Sequence, residues 1–431
     1  MKKLFLKLKK TFQKHPVHYS LLIILFAGAF FVRVYRTDKL LYFFFDQGRD
    51  AINIKKIYAQ LDPALVGPTT GLSGILRGPA FYYLLLPAYL LGKGSPIVAA
   101  IWLQIINMIG LVFIYLSARK ISTKRAGLLA VLLVGFSRHL VGLSRWLSNP
   151  SPIFTSVPIM FYGLLQIKDN KKPHIWWPIV ALMVGLNLQF EIASEIWFIP
   201  AILLLIVFNS SFKPSKKTAL VSSAVFFATL LPQIVFDLVH DGIMRKAVVK
   251  HFADSQQASF AFSWSAVSER LGFYFQSFQK IYTPYHAKSF ALFLVFVLFF
   301  ILRKKNRKRV TPLLALISVP LFILLFYQGN QGNFYSYYLI GLFPLSAVLI
   351  AVILDKLLSN KFLLLIPLLF LTTFIYPNYI DLKNYLVAGV DGETHISLGN
   401  QIQAIDWIYQ DAGDKEFNVD VYVPPVLPHS Y

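Results

Sequence analysis

Residues 289–302, 303–309 and 311–327 read SFALFLVFVLFFIL, RKKNRKR and TPLLALISVPLFILLFY: two apolar stretches without a charge, joined by a run of six bases. This is the pattern of a membrane hairpin with a cytoplasmic loop, because Lys and Arg are retained on that side of a bilayer. Working outward, mostly apolar stretches recur at 20–35, 97–118, 126–143, 152–167, 175–190, 194–208, 219–239, 335–354 and 362–376. With the opening pair they make eleven candidate spans. Several fall short of the roughly 20 residues needed to cross about 30 Å of hydrocarbon, so their ends are soft. A further block, AFYYLLLPAYLLG (80–92), is short and contains a proline, which suits an interfacial or re-entrant helix better.

Charge decides the count. With the N-terminus inside and eleven alternating spans, the cytoplasmic segments are 1–19, 119–125, 168–174, 209–218, 303–310 and 355–361. They hold 24 of the 42 bases and only two acids, Asp169 and Asp355. The rest of the chain is balanced, so the net charge of +22 lies on one side. Counting 80–92 as a span would put Arg119, Lys120, Lys124, Arg125 and the 303–309 run outside. The expected fold class is therefore an all-α polytopic membrane protein of about eleven transmembrane helices, N-terminus in and C-terminus out. The composition agrees: 56% of residues are hydrophobic and 14% charged, against about 25% charged in an ordinary soluble domain. The charge thus speaks of the membrane, and no nucleic-acid partner is expected. The absence of cysteine excludes disulfides and thiol chemistry. The Lys-rich start followed by an apolar block reads as an uncleaved signal anchor.

Three outer segments exceed simple turns: 36–96, 240–288 and the tail 377–431. Helical spacing of Ile54, Ile57, Tyr58 and Leu61, and of Trp264, Val267, Leu271, Phe275 and Phe278, predicts helices lying in the membrane surface. The expected division is a transmembrane domain, 1–376, and a small extracytoplasmic piece, 377–431. In the latter an amphipathic run (Ile402, Ile405, Ile408, Tyr409) and the alternating FNVDVYV (417–423) predict a small α/β appendage. It ends abruptly after PPVLPHSY, as a truncated chain would.

Candidate functional residues gather in the outer segments. FFFDQGRDA (43–51) holds Asp46, Gln47, Arg49 and Asp50. A carboxylate after three Phe residues sits at an apolar boundary, where a raised pKa suits a general base. The competing reading makes Asp46 the cap of the helix that follows, with Asp50 in its first turn. Arg77, before a Gly-Pro and the aromatic block, has the depth and the forked donors to grip a phosphate, or to anchor the helix at the interface. SRHLVGLSRWLSNPSP (137–152) adds Arg138, His139, Arg145 and Asn149. QFEIASE (189–195) adds Glu191 and Glu195, and FDLVHDG (236–242) adds Asp237, His240 and Asp241. His139, His240 and Asp241 lack the spacing of a zinc site, so no metal or other cofactor is expected. There is no phosphate-binding loop, dinucleotide fingerprint or nucleophile elbow. A lipid-borne substrate met at the outer face fits best.

Together, FDQGRD (45–50), GPTTGLSGILRGPAFYYLLLP (67–87), SRWLSNPSP (144–152), LPQIVFDLVHDG (231–242) and YYLIGLFP (337–344) resemble the integral-membrane glycosyltransferases of the C superfold. The likeness is to bacterial relatives of dolichyl-phosphate-mannose protein mannosyltransferases and lipid A aminoarabinose transferases. The resemblance implies inverting transfer of a sugar from a polyprenyl-phosphate donor to a protein, lipid or glycan acceptor. It places the active site on the extracytoplasmic face of the plasma membrane. It also implies Asp46 as base, with Arg77 and one of Tyr337 and Tyr338 on the donor phosphate. The mannosyltransferase type carries Asp-Glu where this chain has Asp46-Gln47. Gln47, Arg49, Asp50, Arg138, Arg145, Asn149, Glu191, Asp237 and His240 are the further substrate-binding candidates. Two other readings are a transporter or flippase of polyprenyl-linked sugars, which calls for charges deep in the spans, and an O-antigen ligase or polymerase, which has no need of an acidic motif after the first span.

Overall fold

The computed structural model describes residues 13, 15–70, 74–253, 263–327, 334–387 and 397–418. Among these the chain is helical, and its β pairing is limited to two isolated antiparallel bridges, Tyr42 to Ser397 and Thr69 to Leu76. In chain order the helices are α1 (Pro16–Val34), α2 (Thr37–Leu40), α3 (Phe45–Ala59), α4 (Ala80–Leu91), α5 (Pro96–Ile121), α6 (Lys124–Phe136) and α7 (Arg138–Arg145). There follow α8 (Ile153–Lys168), α9 (Pro173–Phe190), α10 (Ile192–Glu195), α11 (Phe198–Phe208), α12 (Lys216–Val239) and α13 (Ile243–Ala253). The series closes with α14 (Trp264–Tyr282), α15 (Ala287–Leu302), α16 (Lys304–Leu324), α17 (Leu342–Leu358), α18 (Leu365–Val387) and α19 (Leu398–Ala412).

Each of the eleven apolar stretches overlaps a helix. By length and composition alone, α1, α5, α12 and α18 are long enough to cross a membrane. Among the described residues the bent pairs α6–α7 (64°) and α14–α15 (100°), each taken as one span, bring the number to six, and further expected spans fall on the shorter apolar helices Ile153–Lys168, Ile192–Phe208 and Arg309–Leu324. Helix α4, the block expected to lie at the interface or re-enter, has 12 residues and rises about 18 Å.

Local chemistry sets the ends. Pro16, Pro96 and Pro173 open α1, α5 and α9, where a missing N–H costs nothing. Ser215 caps α12 by accepting from the Thr218 N–H at 3.2 Å. Packing then sorts centre from perimeter. In α17 every residue from Leu342 to Asp355 is buried, whereas α12 buries only Thr218 and presents its apolar surface outward. Helices α5 and α8 approach so closely at Gly110 that a Cβ there would sit 2.0 Å from the Phe154 carbonyl. Gly110 is thus the small residue that allows the crossing.

The two acids of the basic segments are both paired. Asp169 meets Lys120 at 2.5 Å and Asp355 meets Arg125 at 2.8 Å, while Lys168 Nζ donates to the Arg309 carbonyl. Segments 119–125, 168–174, 303–310 and 355–361 therefore meet at one end of the bundle. At the other end α19 docks on the segment before α3, through Leu398 N–H to the Leu41 carbonyl (2.8 Å) and the Gln401 amide to the Phe43 carbonyl.

Three expectations are revised. Leu61 lies beyond α3, exposed and with positive φ, because the helix ends at Ala59. In α14 the buried residues are Tyr274, Ser277, Ile281 and Tyr282, and the predicted face divides: Trp264 and Leu271 are exposed, while Phe275 and Phe278 pack against the core. Helix α18 runs through Pro377 to Val387, across the expected domain boundary. The strand at 417–423 falls almost wholly outside the described residues.

Candidate active site

Asp46 opens the site on the first turn of α3. It is not the cap: Phe44 holds that position, and the Gln47 side chain accepts the Phe44 N–H at 2.9 Å. Gln47 also donates to the Leu147 carbonyl at 3.1 Å, which ties the first motif to SRWLSNP. Asp46 is therefore free of a capping duty and stays 45% exposed at its side chain, at the helix end that favours a negative charge.

Arg49 bridges the two carboxylates that share this face, 2.7 Å from Asp46 and 2.8 Å from Asp50. The burial expected at Asp46 occurs instead one turn on. Asp50 is 2% exposed, and burial pushes its pKa up to about 6 against the pull of Arg49. Tyr82 of α4 donates to Asp50 Oδ1 at 3.4 Å, and the Asn53 amide donates to the Tyr82 hydroxyl.

Arg77 ends a tight hairpin stitched by Gly67 N–H to the Arg77 carbonyl and Arg77 N–H to the Pro68 carbonyl. Its guanidinium donates to the Thr69 carbonyl at 2.7 Å and to Glu191 Oε2 at 2.8 Å. Burial alone would lower its pKa, but the Glu191 carboxylate reverses the shift, and Tyr337 and Asp46 lie within its electrostatic reach. Its Nε is buried with no hydrogen-bond partner. The hairpin is fixed from α9: Gln189 accepts the Ala80 N–H at 3.0 Å and packs where a Cβ on Gly78 would be, 2.4 Å away. Gln233 of α12 donates to the Leu76 carbonyl. Asn149 donates to the Phe190 carbonyl and so sets the turn that carries Glu191. Behind it, Glu195 is buried with Oε2 unpartnered.

An aromatic wall closes this side. Tyr337 stacks on Tyr335 at 5.3 Å, meets Tyr338 edge-on at 4.8 Å, and lies 5.8 Å from Trp146. Arg145 donates to the Val32 and Tyr35 carbonyls at the end of α1, and Arg138 lies 3.9 Å over the Tyr385 ring. The structure thus gathers Asp46, Gln47, Arg49, Asp50, Arg77, Glu191, Asn149 and Tyr337 from five separate segments. Asp237 and His240 are engaged elsewhere. Asp237 accepts from the Met244 and Arg245 N–H groups to cap α13, and His240 bonds the Phe236 carbonyl while stacking on that ring. Tyr82, Asn53, Gln189 and Trp146 were not foreseen. Their only signal was position: each lies within or beside a motif already singled out. Among the described residues no three His, Cys, Asp or Glu side chains converge as metal ligands.

Comparison with known proteins bears on this arrangement. Residues 77–236 match the model of the dolichyl-phosphate-mannose-protein mannosyltransferase family. The chain is similar to ArnT from Cupriavidus metallidurans, solved bound to undecaprenyl phosphate. That match has 12% identity and a TM-score of 0.65, covering 95% of this chain and 83% of that one. It is also similar to the Archaeoglobus fulgidus oligosaccharyltransferase in its apo form, with 14% identity and a TM-score of 0.56 over 94% of this chain. This chain spans 59% of that protein's length. The same oligosaccharyltransferase, AglB, solved with an inhibitory peptide and a dolichol-phosphate, aligns at 15% identity and a TM-score of 0.56, over 94% of this chain and 59% of that one. Among curated proteins no sequence matches.

Proposed function

We propose that this multi-pass membrane protein, whose fold is that of the C-superfold glycosyltransferases, moves a sugar from a polyprenyl-phosphate donor to an acceptor hydroxyl, with inversion. The observation that supports the reading is that Asp46 and Arg77 lie within electrostatic reach of each other. They come from motifs 31 residues apart in sequence and fold into one electrostatic neighbourhood at the end of the bundle opposite the basic segments. That end is the extracytoplasmic one by the charge argument, in the plasma membrane of the cell.

The chemistry asks little of the protein. The acceptor oxygen attacks the anomeric carbon, the carbon–oxygen bond to the phosphate breaks, and the proton passes to the Asp46 carboxylate. The polyprenyl phosphate leaves as an anion and needs no general acid. A single displacement inverts the anomeric centre. Arg77 stabilises the growing phosphate charge; Glu191 holds that guanidinium in place until the donor arrives. Arg49 fixes Asp46 in the geometry that a positioned base requires. Tyr337 and Tyr338 flank the phosphate side, and Trp146 offers an aromatic face to the sugar. The reading gains support from relatives solved with undecaprenyl phosphate and dolichol-phosphate.

Purified protein offered a panel of polyprenyl-phosphate sugars tests it. The expected result is release of polyprenyl phosphate from at least one donor, dependent on an added acceptor. Movement of intact donor across a vesicle, without release, would replace the transferase by a flippase.

A further inference from the structure

An open cavity of about 460 Å³ lies between the first turns of α1 and α6, at the end of the bundle where the basic segments meet. Its lining is of two kinds. His15, His18, Lys124 and Arg125 supply the polar part, and Leu21 and Leu128 extend it along the two helices as an apolar wall. Lys124 reaches across to α1, where its ammonium lies 5.8 Å from the centre of the Tyr19 ring. His18 shares a hydrogen bond of 2.8 Å with the Tyr115 hydroxyl of α5, so the α1 side is fixed as well.

The ion pairs at this end leave positive charge in excess. Residues 1–19 and 119–125, the segments that border the cavity, hold ten bases and no acid. The acids that reach them, Asp169 and Asp355, take up Lys120 and Arg125. Two of the bases also stand where their own helix disfavours them. Lys124 and Arg125 open α6, whose first turn contains no acid, and that turn carries the positive end of the helix dipole. An anion seated here relieves both the local excess and the dipole. The apolar wall says what kind of anion. A small free phosphate gains nothing from Leu21 and Leu128, whereas an amphiphile buries its chain along them. Beyond Leu21, α1 leaves Ile24 exposed on the same side. We propose that this cavity binds the headgroup of an anionic phospholipid, with its phosphate at Lys124 and an acyl chain running along α1 over Leu21 and Ile24. Basic pockets between helices at headgroup depth are the usual seat of such lipids. The lipid braces α1 against α6. The assignment does not depend on the transferase reading.

Native mass spectrometry of the full chain in detergent tests it, with dioleoyl phosphatidylglycerol and dioleoyl phosphatidylcholine added in equal amounts. A Lys or Arg beside an anionic headgroup is worth roughly 5-fold in binding, so two of them should make retained phosphatidylglycerol exceed phosphatidylcholine by roughly 10-fold or more. Lys124→Gln should cut that preference by about 5-fold, and Lys124→Arg should keep it. Lys216→Gln with Lys217→Gln removes two bases from the start of α12, outside the cavity, and should leave the preference as it is. Added inorganic phosphate should not displace the lipid. Equal retention of the two lipids by the parent overturns the proposal. So does a preference untouched by Lys124→Gln, or one that falls as far in the Lys216→Gln, Lys217→Gln protein. Displacement by inorganic phosphate would make this a site for a small anion and overturn the lipid assignment.

Discussion

Arg77 and Glu191 show how one buried residue constrains what can be learned from another. Removing Arg77 alone strands a buried carboxylate, which typically costs about 3–5 kcal/mol. Arg77→Ala should therefore lower thermal stability, and adding Glu191→Gln should restore much of it. A melting series on the single and double variants checks this, and only the double variant gives a clean measure of donor affinity. Asp50 carries a pH signature. Its folded-state pKa, up to about 6, lies above that of the unfolded chain near 3.8. The folded state thus holds the proton more tightly, and this favours folding most below about pH 4. The benefit, on the order of 3 kcal/mol, is lost as pH rises from about 4 to about 6. Asp50→Asn should flatten that slope in a melting-temperature scan, and an unchanged slope would assign it to other groups. The acidic pair was legible in the sequence, since residues four apart share a helix face. Which of the two is buried was not, because that depends on Tyr82 and Asn53 arriving beside Asp50.

At the scale of elements, hydropathy located the helices and missed how some of them end. The capping duty passed from Asp46 to Gln47 because the helix begins at Phe45, two residues earlier than a cap at Asp46 requires. Helix α18 continues through Pro377, which a hydropathy reading takes for a boundary. A reporter for the outer face thus belongs after Val387, and one for the inner face after Asn209, beyond α11. The first should read outside and the second cytoplasmic. The opposite pair of signals would invert the bundle and place Asp46 on the wrong side for a lipid-linked donor. In α14 periodicity located an apolar stripe without saying that Phe275 and Phe278 would pack on the core while Trp264 and Leu271 stay exposed.

For the whole molecule, the distribution of charge carried most of the information. Basic segments and their two acids meet at one end, and the candidate site occupies the other. What sequence alone could not supply was convergence. Glu191 meets Arg77 across 114 residues, and Trp146 meets Tyr337 from across the chain. No local pattern encodes such contacts. The sequence reading weighed Asp46 as cap against Asp46 as base; with Gln47 serving the cap, removing the Asp46 charge should leave the fold intact and strike only the chemistry. The decisive measurement is the rate of acceptor-dependent polyprenyl phosphate release by Asp46→Asn, beside the parent and Asp50→Asn. The account predicts a folded protein with intact donor binding and turnover lower by about 10²-fold or more, with a much smaller loss in Asp50→Asn. A folded Asp46→Asn protein that turns over within a few-fold of the parent would contradict it.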